Sequence, residues 1–140
     1  MGTTLRSKLS EKNPYRIEKH RYYELKHFCL QYPYWRRARE TITYLCAQAS
    51  KPVVYRTQTG NTDDPTASVA EAKLFYTDRI ELIERVCRQT DPVIGEYILE
   101  GVTQGISYDI LNARRSVPCS KDTYYDLYRK FFWLLSKERG

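Results

Sequence analysis

The chain has 140 residues, below the roughly 250–300 at which chains split into separate cores, so one compact domain is expected. Its 14% aromatic content, rich in Tyr with 13 of them, excludes a disordered polymer, which lacks rings to bury. The longest apolar run is five residues, starting at Phe131, against about 20 for a membrane span. The opening residues hold no secretory-signal pattern, so a cytoplasmic protein without a membrane partner is expected.

Residues 1–12 are polar and predict a frayed start. Asn13 and Pro14 read as a helix start, because Asn suits the cap and Pro the first helical position. Ile17, Leu25, Phe28 and Cys29 then recur at helical spacing, which predicts a helix over 14–31. Pro33 interrupts it. A second helix is predicted over 33–49, with Trp35, Ala38, Ile42, Leu45 and Cys46 inward and Arg36, Arg37 and Arg39 outward. Over residues 1–48 there are 10 Lys or Arg against 4 Asp or Glu; the remainder balances at 13 against 13. All of the net +6 therefore sits on this basic N-terminal hairpin (1–50). Such a patch suits an anionic partner, nucleic acid first, and equally describes a solvated helix face.

Residues 51–65 hold Pro52, Gly60, Asn61 and Pro65 and read as a loop, with Val53, Val54 and Tyr55 as a short extended piece lacking a strand partner. Val69, Ala72, Tyr76, Ile80, Ile83 and Cys87 predict a helix over 66–89. Asp91 and Pro92 repeat the cap-then-Pro start, and a short helix follows, ending near Gly101. Another short helix spans 107–115, stopped by Val117 and Pro118, since the residue before Pro leaves the helical region. Ser120 caps a last helix by accepting from the N–H of Asp122 or Thr123. On it, Tyr124, Leu127, Tyr128, Phe131, Leu134 and Leu135 face inward. The expected fold is all-α: a helical bundle with a C-terminal helix-turn-helix inside the unit 66–140.

Two short helices, a tight turn and a longer basic-aromatic helix form the helix-turn-helix pattern. Val117 would plug the space between its helices. Lys121, Arg129 and Lys130 could meet phosphates or guanine, and Ser120, Thr123 and Tyr125 bases or backbone. Asp122 and Asp126 repel phosphate and oppose this reading unless they accept from a base amino group or hold an arginine in place.

The stretch from Gly105 to Leu111 and from Val117 to Tyr125 resembles the last two helices of sigma-factor region 4. It is more similar to the phage late-gene transcriptional regulators of the RinA and ArpU type. There a Pro-containing segment ending in Thr and aromatic residues opens the recognition helix, and a basic-aromatic stretch like Tyr128-Arg129-Lys130-Phe131-Phe132 follows. The opening Tyr22-Tyr23-Glu24-Leu25-Lys26 also resembles short phage proteins of that kind. The resemblance implies sequence-specific binding to double-stranded phage DNA, control of late or packaging genes, and contact with RNA polymerase. A homodimer suits it, because one short helix reads few base pairs. Arg36, Arg37 and Arg39 would add phosphate contacts or hold a partner.

Other chemistry finds little support. No C-x-x-C pair is present, so the four cysteines read as small core residues. His20 and His27 are seven residues apart, too far for the i,i+4 spacing of shared metal ligands. No nucleophile elbow, phosphate loop or dinucleotide fingerprint occurs, so no enzyme and no cofactor are expected. The alternative class is a helical adaptor or inhibitor that acts on a host protein without binding DNA, with Trp35 or Trp133 and the tyrosines as anchors.

Overall fold

A computed structural model describes residues 13–49 and 65–140. The expected frayed start and the Val53–Tyr55 piece lie outside the described residues. Six helices and no strand occur among them: α1 (Lys19–Leu30), α2 (Tyr32–Ala49), α3 (Pro65–Thr90), α4 (Gly95–Gln104), α5 (Tyr108–Arg115) and α6 (Lys121–Arg139).

The first helix starts five residues later than its Asn-Pro signal predicts. Asn13 spends its side chain locally: its Oδ1 accepts from the Tyr15 N–H at 2.8 Å and its carbonyl from the Arg16 N–H at 3.2 Å. That closes a turn rather than a helix, as Asn side chains commonly do. The cap falls instead to Glu18, whose carboxylate accepts from the Arg21 N–H at 3.1 Å. One residue, Gln31, separates α1 from α2, and Pro33 sits in the first turn of α2, where its missing N–H costs nothing.

α2 packs along α3, and the Tyr32 hydroxyl donates to the Glu84 carboxylate. Only the ends near the other helices are fully covered. Ile80, Ile83, Val86 and Cys87 are buried, while Val69, Ala72 and Tyr76, expected in the core, are half-buried. On α2, Trp35 is buried, but Leu45 is 56% exposed and Cys46 is exposed. Those two were expected inward. The hairpin outruns the core, so its far half covers only itself.

Asp91 performs its expected role: its carboxylate accepts from the Val93 and Ile94 N–H groups at 3.0 and 2.6 Å. α4 does not end near Gly101. It continues to Gln104 and closes on Gly105, whose φ of 68° is open to glycine at no steric cost. Gly101 is a contact position instead, since a Cβ there would collide with the Tyr124 hydroxyl.

α6 is the central element and touches α1, α3, α4 and α5. Tyr124, Phe131, Phe132 and Leu135 are fully buried beside Leu25, Cys29, Ile98 and Leu111. Arg21 of α1 donates to the Ser136 hydroxyl and carbonyl at 3.0 and 2.9 Å. The Tyr22 and Tyr128 hydroxyls meet at 3.3 Å.

Candidate nucleic-acid interface

The α5–α6 segment is built by local rules. Ser107 caps α5 through the Ile110 N–H. Ser116 ends it with φ 58° and ψ 73°, a left-handed conformation unusual for a non-glycine residue. Asn112 supports this bend with both acceptors: its carbonyl takes the Ser116 N–H and its Oδ1 the Val117 N–H, each at 2.8 Å. Val117 is thereby turned inward and is 7% exposed. Five residues, 116–120, join the helices, and Ser120 caps α6 by accepting from the Thr123 N–H at 3.1 Å.

Two tyrosines clasp this unit. The Tyr108 hydroxyl donates to the Cys119 carbonyl at 2.6 Å, and the Tyr125 hydroxyl accepts from the Tyr108 N–H at 3.0 Å. Tyr124 packs beneath them, its ring tilted against Tyr108 at 5.4 Å and edge-on to Tyr125 at 5.1 Å. Burial pushes the Tyr124 phenol well above its usual range. Its hydroxyl has no hydrogen-bond partner among the described residues.

The expected site residues divide into three groups. Ser120, Lys121 and Thr123 are exposed on the first turn of α6, with Asp122 among them. Tyr125 and Lys130 are half-buried, and the Arg129 side chain is 13% exposed and bonded to Asp126 at 2.7 Å. After Asp126 the next exposed residue on α6 is Lys137, so the outer side of this helix is open only at its start. Arg36 and Arg37 are exposed and Arg39 half-buried on α2, which packs chiefly on α3. The structure does not bring these arginines to the first turn of α6.

The electrostatics were not legible in the composition. Lys121 Nζ lies 3.3 Å from Asp109. Arg114 and Arg115, which sequence reasoning did not single out as contact residues, reach Glu100 at 3.7 and 3.0 Å, and Arg115 reaches Glu96 at 3.6 Å. The Glu100 bond holds the Arg115 guanidinium still more firmly charged, and that group lies over the Tyr97 ring. Four of the five cations on α5 and early α6 thus face a carboxylate. Lys130 forms no ion pair among the described residues. The signal was there in Glu96 and Glu100, which share one face of α4 toward the end of α5.

Cys29 and Cys87 are buried, and burial pushes both thiols up, which suits inert packing. Cys46 is exposed and Cys119 half-buried, so the core reading fits two of the four. His20 and His27 are both exposed. Among the described residues no cluster of three His, Cys, Asp or Glu could hold a metal ion, and no helix is long and apolar enough to cross a membrane. Comparison with protein-family models, curated proteins and solved structures returns no match.

Proposed function

We propose that the chain is a double-stranded-DNA-binding transcriptional regulator that presents the first turn of α6 to the major groove. One observation carries this reading: a short helix, a bend plugged by buried Val117, and a capped helix whose opening residues Ser120, Lys121 and Thr123 are exposed to solvent. It supports a helix-turn-helix reading, in which the second helix would enter the groove by its N-terminus. Lys121 would meet phosphate or guanine, and Ser120 and Thr123 would donate to phosphate or base edges. Tyr125 and Arg129 act in this reading as braces rather than readers. The phage-regulator resemblance adds contact with RNA polymerase.

Binding to a duplex pool should weaken steeply with salt. Lys121→Ala is expected to cost about 1–3 kcal/mol if the lysine reads a base, or to lower the salt slope by about one if it meets phosphate. Asp109→Ala releases Lys121 and should tighten binding. A fluorescence-anisotropy titration in which both variants match the parent chain would remove α6 as the reading helix.

A helical protein-binding adaptor is the second reading. It is favoured by the paired state of Arg114, Arg115, Lys121 and Arg129, and by Asp122 and Asp126 beside them. An adaptor gives no gel shift at physiological salt and instead binds one defined protein.

A further inference from the structure

Among the described residues, five of the eight exposed large apolar side chains lie on α2 and α3: Tyr34, Tyr44, Leu45, Leu74 and Phe75. Three of them share one flank of the hairpin. On α2, Tyr34 and Leu45 stand 11 residues apart, about three helical turns, on a stripe beside the face that carries Trp35. On α3, Glu71, Phe75 and Asp78 follow at intervals of four and three, one face of that helix. The stripes adjoin, since the Tyr76 ring meets Tyr34 at 6.3 Å and Phe75 at 5.3 Å. Tyr34 and Phe75 are 55% and 47% exposed. The opposite flank is polar, with Arg36 and Thr43 on α2 and Lys73 and Thr77 on α3. The hairpin therefore carries a second, partly apolar surface at right angles to its own seam, with the Arg79 guanidinium 3.5 Å over the Phe75 ring.

The margins of that surface carry opposite charges. Arg37 stands on the α2 side, and Glu71 and Asp78 on the α3 side, all exposed. None of the three forms an ion pair among the described residues. The contacts of Tyr32 with Glu84 and Tyr34 with Tyr76 set an antiparallel register. It places Arg37 level with the interval between Glu71 and Asp78. These charges sit at one height but on the outer margins of different helices, so they cannot meet within one chain. A two-fold axis parallel to the helices lays α2 of one copy on α3 of the other and brings each arginine to the opposite carboxylates.

We propose that the Tyr34–Leu45–Phe75 flank is a self-complementary interface between two copies of this chain, with Arg37 of each copy placed against Glu71 and Asp78 of the other. Exposed apolar surface rimmed by polar groups marks such contacts. A two-fold interface uses one patch twice, and rim charges set its register. The proposal does not rest on DNA binding and is tested without DNA.

Sedimentation equilibrium of the full chain should show a monomer–dimer equilibrium. Phe75→Glu should weaken it at least tenfold while circular dichroism keeps the helical signal. Leu45→Ser, on the other helix, gives a second reading should that signal fall. Arg37→Glu and Asp78→Arg should each weaken the dimer, and the combined variant should recover it. A parent chain that stays monomeric up to ~100 µM, two decades above a micromolar Kd, overturns the proposal. So does a dimer indifferent to Phe75→Glu and Leu45→Ser, or a charge swap that recovers nothing.

Discussion

Tyr124 and Gly101 are one unit at the residue scale. The phenol lies fully buried with its hydroxyl unpaired, and only a residue without a Cβ leaves room for that oxygen. A buried polar atom without a partner is a cost the fold carries. Gly101→Ala should therefore destabilise by about 1–3 kcal/mol, the range for overpacking. Tyr124→Phe should be neutral or gain up to ~1 kcal/mol by removing the orphan. In the double variant the collision is gone and the alanine favours the helix, so the two effects should not add. Urea unfolding of the four proteins measures this cycle; strict additivity would mean that the hydroxyl and the glycine do not meet.

The turn before α6 is the feature of element scale that decides most. Asn112 holds it twice, through its carbonyl and its side chain. Asn112→Ala strands the Val117 N–H and should cost about 1–2 kcal/mol. Ser116→Gly relieves a left-handed residue and should gain up to ~1 kcal/mol. Thermal unfolding distinguishes the two signs. The sequence announced much of this element: Ser120 as a cap, Val117 as plug, and the inward tyrosines 124 and 128. Elsewhere its signals had competing outlets. Asn13 could close a turn as well as cap a helix, and Gly101 could end a helix as well as make room for a ring. The apolar stripes of α2 and α3 gave the seam, but periodicity does not say where a seam stops being covered. Leu45, Cys46 and the half-buried Val69 and Ala72 show the result. Nor does periodicity show that Asp109, Glu96 and Glu100 reach the basic groups of the candidate site.

Burial of ionisable phenols and thiols acts on the whole molecule. Burial, and then the bond to Glu84, pushes Tyr32 up to about 12 from an ordinary 10.0. Burial raises Tyr124 and Tyr128 from the same value, and Cys29 and Cys87 from 9.0. The unfolded chain loses these protons first, so above their ordinary values it binds fewer than the native state and stability falls. The contribution is complete below about pH 8.5 and is lost as pH rises through ~10 toward ~12. The urea midpoint should stay level on this account from neutral to mildly alkaline solution and then drop. Tyr128→Phe should shallow the drop; an unchanged slope would assign the alkaline loss to other groups.

The placement of α6 sets the order in which the core can close. It comes sixth in chain order, yet it is the surface on which α1, α3, α4 and α5 all converge. A chain emerging from the ribosome has no common floor for these helices until this segment follows. The link from Arg21 to Ser136 spans 115 residues, so closing it also carries a long-loop entropy. Until then α1, α3, α4 and α5 lack that shared surface, and conditions that slow translation near the α5–α6 turn should lengthen the time the chain depends on chaperones.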